Sequence, residues 1–139
     1  MWLPQTAEYA LRAMALLARA PAGAVLVGPD LAERARIPSP YLSKVMRRLV
    51  VAGLVVARRG RGGGFSLARA PGTIRLSEVL EAMDVQVSAR KCVFGWSACR
   101  DDRPCPLHPL WVELSARQRR WAEETTLDCV EGVDEPPGS

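Results

Sequence analysis

The stretch SPYLSKVMRRLVVAGLVVARRGRGGGFSLAR, residues 39–69, decides the fold of this chain. Its first half predicts a helix from Pro40 to Ala52, because apolar residues recur there at the spacing of one helical face, and Gly53 ends that helix. The second half predicts two short strands, 54–58 and 65–69, joined by a hairpin with glycines at its tip. The apolar face of the helix consists of Leu42, Val45, Met46 and Leu49, and Ser43, Lys44, Arg47 and Arg48 lie opposite.

The sequence before this stretch predicts two more helices. The first is capped by Thr6 and cannot continue past Pro21. The second opens at 28 and continues through 36, since proline and an acidic residue suit a first helical turn. Helix, short helix, helix and hairpin is the order of a winged helix-turn-helix, in which the third helix enters the major groove of DNA. The predicted apolar face of the first helix consists of Leu11, Met14, Ala15 and Ala18.

The sequence after the hairpin predicts a helix over 77–83, with Val79, Leu80 and Met83 inward, and a long final helix. Seven-residue steps along that helix are typical of a contact with another helix. We expect a mainly α fold with a small β-hairpin, divided into a winged helix-turn-helix DNA-binding domain (1–83), a cysteine-containing cluster loop (84–108), a dimerisation helix (109–130) and a flexible tail (131–139). The dimerisation residues predicted are Leu107, Leu110, Leu114 and Trp121.

Length and composition exclude several classes of protein. A chain of 139 residues with 48% hydrophobic and 24% charged residues is typical of one globular domain. It has no run of about 18 apolar residues to span a bilayer and no secretory signal, so we expect a cytoplasmic protein whose cysteines are not used for disulfides. One histidine, no nucleophile motif and no nucleotide-binding loop argue against an enzyme.

Charge is divided unequally along the chain. Residues 1–75 hold twelve Lys and Arg against three acidic residues, a net charge of +9, whereas residues 76–139 have a net charge of −5. A basic half favours a polyanionic partner, although a solvated basic face, a plain glycine turn or a protein-binding winged-helix module would give the same pattern. The predicted DNA-binding residues are Ser39, Tyr41, Ser43, Lys44, Arg47, Arg48, Arg58, Arg59, Arg61, Gly62 and Gly63.

Three cysteines and the single histidine fall close together, at Cys92, Cys99, Cys105 and His108. Zinc accepts such donors, but structural zinc sites usually begin with two cysteines two to four residues apart. Looser spacing in a loop suits an iron–sulfur cluster, whose irons are bound by separate thiolates. A thiol switch and thiols without any ligand remain open. Phe94 and Trp96 are expected to shield the site from water, although Trp96 could instead pack on the final helix. Cys129 is expected to take no part in the site.

Several segments together resemble one family. They are PYLSK at 40–44, LVVAGL at 49–54, RGRGGGFSLA at 59–68 and IRLSEV at 74–79. Over roughly residues 1–127 the chain is similar to the Rrf-type winged-helix regulators, the bacterial family that includes the iron–sulfur-cluster regulator and the nitric-oxide-sensitive repressor. The resemblance implies a homodimeric DNA-binding transcription factor, usually a repressor, acting on a near-palindromic double-stranded DNA operator.

The resemblance also implies a ligand set. The three cysteines of cluster-binding members map onto Cys92, Cys99 and Cys105, with one residue more than is common between the first two. For the fourth ligand, members using a histidine point to His108 and a two-iron cluster, and members using an acidic residue of the first helix point to Glu8 and a four-iron cluster. Without a cluster, Glu8 is a carboxylate favoured by the helix dipole and His108 a capping or surface imidazole. The expected cofactor is therefore an iron–sulfur cluster, through which the protein senses redox state, nitric oxide or iron–sulfur status. Zinc is the alternative cofactor.

Overall fold

A computed structural model describes residues 3–87, 92–94, 96 and 105–132 of the chain. Within these ranges the architecture is mainly helical, with one two-stranded antiparallel sheet. No helix in the part of the chain described is long and apolar enough to cross a membrane. The elements are α1 Gln5–Arg19, α2 Gly28–Ala35, α3 Ser39–Val51, β1 Val55–Arg58, β2 Gly64–Leu67, α4 Leu76–Ala82 and α5 His108–Glu124, with 3₁₀ turns at Pro71–Thr73 and Leu127–Gly132.

Helix α1 begins one residue before the position that the sequence predicted for its cap. The prediction that Thr6 caps it is wrong, because Pro4 occupies the cap position and makes no side-chain hydrogen bond to the helix. The core face is also rotated from the predicted one: Met14 is fully buried, but Leu11 is only half-buried. Small residues allow α1 to approach its neighbours closely. The residues that α1 buries are Ala7, Tyr9, Ala10, Ala13, Met14 and Leu17.

The predicted helix-turn-helix is formed by α2 and α3. Helix α2 ends at Ala35, and the left-handed backbone of Arg36 (φ 54°) then reverses the chain. The N–H of the buried Ile37 donates to the carbonyl of Ala32 at 2.9 Å. Helix α3 confirms the predicted stripe, since its four predicted apolar residues are its buried ones. It ends where Gly53 adopts φ 77° and the N–H of Leu54 returns to the carbonyl of Leu49 at 3.0 Å.

The two strands form the predicted hairpin. Val55 pairs with Leu67 at its base and Arg58 with Gly64 near its tip. Leu26, between α1 and α2, bridges to Phe65 through two backbone hydrogen bonds of 2.8 and 2.9 Å, so the hairpin is fixed to the helical core. We call this hairpin, residues 55–67, the wing.

The end of the described chain returns to the helical core, which the sequence did not predict. Helix α5 stops at Glu124 rather than at the expected 129 or 130. The N–H of Leu76 then donates to the carbonyl of Thr125 at 2.9 Å, and the N–H of Leu127 donates to the carbonyl of Ile74 at 3.0 Å. Leu127 is 1% exposed and belongs to the same core as α1–α4, so the segment around Leu127 packs with the winged helix-turn-helix. We call residues 125–132 the C-terminal strap.

Candidate functional site: a basic helix face, the wing and the cysteine segment

The outward face of α3 carries the predicted polar and cationic side chains. Lys44, Arg47 and Arg48 are all exposed, because the apolar stripe on the other side of the helix holds it against the core. Ser43 is also exposed, and its hydroxyl donates to the carbonyl of Ser39 at 3.3 Å. The face therefore presents three positive charges to solvent, and the hydroxyl of Ser43 presents its oxygen as an acceptor.

A shallow open cleft of about 390 Å³ lies beside this face, where α3 meets α4. One of its cations has an internal partner: Nη2 of Arg48 lies 3.0 Å from Oδ2 of Asp84, the second residue after α4. Asp84 itself has a left-handed backbone (φ 62°). The lining residues are Lys44, Arg47, Arg48, Val51, Ala52 and Ala82.

Tyr41 lies near the start of α3 and is 50% exposed, so it is not a core residue. Its ring faces that of the buried Tyr9, with centroids 6.1 Å apart and planes tilted by 56°. Arg12 lies over the Tyr9 ring at 5.4 Å and donates to the carbonyls of Ala35 at 3.4 Å and Arg36 at 3.3 Å. These contacts connect α1 to the end of α2 and to the start of α3.

The wing, which follows α3 in the sequence, places Arg58, Arg59 and Arg61 at the surface. The glycines at the tip of the wing are needed for different structural reasons. Gly62 adopts φ 72° with open space around it, whereas a Cβ on Gly63 would lie 2.4 Å from the carbonyl oxygen of Arg58. Gly63 is therefore required by the turn itself, which is a reason the sequence analysis did not identify.

The base of the wing is fixed by an ion pair to α4. Nη2 of Arg69 lies 2.7 Å from both carboxylate oxygens of Glu78 and also donates to the carbonyl of Thr73 at 3.1 Å. Glu78 additionally accepts from the backbone N–H of Arg75 at 2.9 Å, as the third helical residue does in a capping box. Burial alone would raise the pKa of Glu78, but the hydrogen bonds and positive charge of Arg69 and Arg75 outweigh it, and the pKa is lowered.

The cysteine segment is described only in part. Cys92 is buried at 7% exposure and Cys105 is half-buried, both as free thiols, while Cys99 lies outside the described residues. Within the described ranges, no three Cys, His, Asp or Glu side chains lie close enough to form a metal site. Phe94 and Trp96, which are expected to shield the site, are 56% and 67% exposed, and their ring centroids lie 5.3 Å apart with the planes tilted by 33°.

The two candidate fourth ligands have different surroundings. His108 is the first residue of α5, and its N–H donates to the carbonyl of Cys105 at 3.0 Å, which places both residues on one turn of the chain. Its Nδ1 atom is buried and has no hydrogen-bond partner among the described residues. Glu8 lies on the exposed side of the first turn of α1, where the helix dipole favours a carboxylate.

Helix α5 leaves its predicted dimerisation residues exposed. Leu107, Leu110, Leu114 and Trp121 are 50%, 74%, 45% and 45% exposed, respectively. Ala122 alone on α5 is buried, against the core that also holds the strap. Cys129 lies exposed on the strap, in the 3₁₀ turn and not at the end of α5.

The sequence analysis missed Asp84 as a partner of Arg48. A signal was present, since Asp is one of the few non-glycine residues that tolerates the left-handed backbone often found after a helix. What the sequence could not indicate was that this reversal points the carboxylate at α3, 36 residues earlier in the chain.

Comparison with known proteins agrees with this architecture. Residues 3–130 match the Rrf2 family, described as "Iron-dependent Transcriptional regulator". A putative HTH-type transcriptional regulator of Aquifex aeolicus is 32% identical over 137 residues, which cover 97% of this chain and 94% of that protein. The HTH-type transcriptional regulator IscR of Citrobacter koseri is 37% identical over 128 residues, 91% of this chain and 77% of that protein.

The fold has a close counterpart among solved structures. The global cysteine regulator CymR of B. subtilis superposes with a TM-score of 0.81 over 96% of this chain and 99% of that one. At 21% identity, this likeness speaks for the fold alone. The family match over nearly the whole chain and the two relatives also indicate a role. Both relatives are transcriptional regulators and not enzymes. This chain belongs to the Rrf2 family of transcriptional regulators.

Proposed function

We propose that this chain is a homodimeric repressor that binds a near-palindromic DNA operator and whose affinity for that operator is set by an iron–sulfur cluster. The observation that carries the DNA-binding part is the exposed row of cations on α3, opposite the buried stripe and followed by the arginine-bearing wing. Family membership supports the same partner, since the relatives are named HTH-type transcriptional regulators.

Helix α3 acts as the recognition helix in this proposal. Its first turn, with Ser39 and Tyr41 exposed, provides the positive end of the helix dipole and polar side chains for phosphates and base edges. Lys44, Arg47 and Arg48 follow along the exposed face as phosphate and base contacts. Arg58, Arg59 and Arg61 of the wing extend the positive surface to the adjacent minor groove, where Gly62 allows close approach.

The exposed apolar face of α5 is proposed to be the dimer interface. Three large apolar side chains on α5 and Leu107 just before it, between 45% and 74% exposed, form a patch whose burial against a second copy would be favourable. Two copies would then present two α3 helices, which bind successive major grooves when they are about 34 Å apart. The core contacts of the strap hold the end of α5 against the winged helix-turn-helix, so the dimer contact would fix the orientation of α3.

The cluster is proposed to be bound by Cys92, Cys99, Cys105 and one non-cysteine ligand. The donors described fit such a group: Cys92 and Cys105 are free thiols, and His108 has a buried ring nitrogen without a partner. A buried polar atom without a partner costs about 1–3 kcal/mol, which a bound metal would relieve. This favours His108 over the exposed Glu8 as the fourth ligand. Zinc bound by the same donors, or a thiol switch without metal, remains the alternative.

When bound, an iron–sulfur cluster supplies iron sites that react with oxidants or nitric oxide. The protein's part is positional. Cys92 lies between α4 and α5, and Cys105 lies three residues before α5. Ligands at both ends of this segment would hold α4, which packs on α3, in a fixed relation to α5. Loss of that constraint would alter the separation of two recognition helices without changing any residue that contacts DNA.

The DNA-binding part is tested by salt-dependent titration of a labelled duplex with wild type, Arg47→Ala and Arg119→Ala. Each phosphate contact contributes about 0.9 to the slope of log K against log salt, so Arg47→Ala should reduce the slope by about that amount. Arg119 is an exposed cation of α5, outside the proposed interface, and its truncation should leave the slope unchanged. Equal slopes for the two variants would contradict the assignment of α3.

The sensing part is tested by a gel-shift titration of anaerobically reconstituted and cluster-free protein, each with and without nitric oxide, on an operator selected from genomic DNA. The proposal expects the two forms to differ in affinity and nitric oxide to act on the reconstituted form alone. Equal binding by both forms would exclude switching through a cluster and would leave a DNA-binding regulator without it.

A further inference from the structure

We infer that Asp84 is an internal competitor for Arg48: its carboxylate occupies the guanidinium that the recognition helix would otherwise offer to a DNA phosphate. This inference rests on the proposed function, because it assigns a positioning residue to the same DNA-binding face. It starts from the ion pair between α3 and the end of α4, with Nη2 of Arg48 and Oδ2 of Asp84 3.0 Å apart.

The carboxylate of Asp84 and a DNA phosphate compete for the same hydrogen-bond donors of Arg48. A carboxylate and a phosphate bind the guanidinium through the same N–H donors, so Arg48 engaged with Asp84 offers fewer donors to DNA. The neighbouring cations Lys44 and Arg47 line the same cleft, and neither has a carboxylate partner in the described ranges. Arg48 is thus the one cation among these three whose charge is already compensated within the described chain.

The pair is weak enough to exchange. The side chain of Arg48 is 44% exposed and that of Asp84 is 80% exposed, and ion pairs in water at such sites are screened. DNA would therefore displace Asp84 rather than be blocked by it. The consequence is a modest, salt-dependent reduction of affinity, which makes binding to any duplex more dependent on the remaining contacts.

The backbone holds the carboxylate in place. Asp84 has φ 62°, its N–H donates to the carbonyl of Glu81 at 3.0 Å, and the N–H of Val85 returns to the carbonyl of Leu80 at 3.0 Å. This closes the end of α4 and directs the side chain towards α3. Val85 and Val87 then pack partly against the core on the way to Cys92. The residue that pairs with Arg48 therefore lies just after α4 and eight residues before Cys92.

The test uses full-length protein, a fluorescein-labelled duplex of mixed sequence and a series of salt concentrations. Asp84→Asn removes the charge and keeps a residue that tolerates the left-handed backbone, so the fold is preserved. We expect roughly two- to fivefold tighter binding at low salt, and a slope of log K against log salt that is steeper by up to about 0.9, because added salt screens the competing ion pair only in the wild type. Thermal melts followed by circular dichroism check that each variant is folded.

Two further variants separate this role from a general charge effect. Glu81→Gln removes an exposed carboxylate three residues earlier, within α4, that has no ion pair in the described ranges. It should change the slope little. In the background of Arg48→Ala, Asp84→Asn should have no effect on the slope, because the competed group is gone.

The inference is overturned if Asp84→Asn leaves the slope at the wild-type value, if Glu81→Gln steepens it equally, or if Asp84→Asn acts as strongly without Arg48. These outcomes leave salt-dependent DNA binding by the wild type intact. If the wild type itself does not bind the duplex in a salt-dependent way, the proposed function fails and the inference fails with it.

Discussion

The C-terminal strap provides a sharp prediction about stability, because one of its side chains, Leu127, is fully buried in the core. Leu127 is 1% exposed and contacts the core formed by α1–α4, and its N–H donates a hydrogen bond to the carbonyl of Ile74. Leu127→Ala removes three buried carbons, which at about 0.8 kcal/mol each amounts to about 2.4 kcal/mol of lost transfer free energy. The cavity left behind adds to this, so we expect a loss of about 3–4 kcal/mol in the free energy of unfolding.

The assay is urea unfolding followed by far-ultraviolet circular dichroism, with the free energy obtained by linear extrapolation. Two protein concentrations reveal any contribution from association. The control is Val51→Ala, which shortens a side chain of α3 that is 82% exposed and should cost less than about 0.5 kcal/mol. A loss below about 1 kcal/mol for Leu127→Ala would refute the packing of the strap, since an anchor without a core contact would behave like Val51.

Three further predictions concern the wing, its base and α5. Gly63→Ala would place a Cβ 2.4 Å from the carbonyl oxygen of Arg58, so it should distort the wing and weaken duplex binding by about tenfold while the thermal midpoint falls only slightly; unchanged binding would contradict the assignment of the wing. Glu78→Gln should destabilise the protein by less than about 1 kcal/mol at neutral pH, because the ion pair with Arg69 is partly exposed. Since the pKa of Glu78 is lowered, its contribution is present above the ordinary value of 4.5 and is lost as the pH falls through the lower folded value, so urea unfolding curves of wild type and variant should converge in acid; a constant difference would be contrary to this sign. Leu114→Glu should convert a dimer to a monomer in sedimentation velocity, because it places a charge in the proposed apolar interface, and a variant that sediments like the wild type would argue for another interface.

The sequence predicted those parts of the fold that have a local signal. The 3.6-residue spacing of Leu42, Val45 and Met46 identified the buried face of α3, and with it the basic face opposite. The glycine run between two short apolar segments identified the wing. Each of these features is determined by residues within a few positions of one another, which explains why a single sequence was enough.

The features that the sequence did not predict depend on contacts distant along the chain. Residues 125–130 contain no glycine or proline and are equally compatible with a longer α5, and only the hydrogen bonds to 74–76 decide that the helix stops at Glu124. The partner of Arg48 depends on the backbone reversal at Asp84. The interpretation of α1 as capped by Thr6 failed because Pro4 already starts the helix from its fixed backbone angle.

The most direct test of the central claim is the content of iron and acid-labile sulfide per chain in protein purified without oxygen, measured for wild type, Cys105→Ser and Cys129→Ser. Our account predicts iron and sulfide in comparable amounts in the wild type and in Cys129→Ser, whose thiol is exposed on the strap, and a marked loss in Cys105→Ser. Wild-type protein that is colourless and contains neither element would contradict the proposed cluster and leave a transcriptional regulator that works without it.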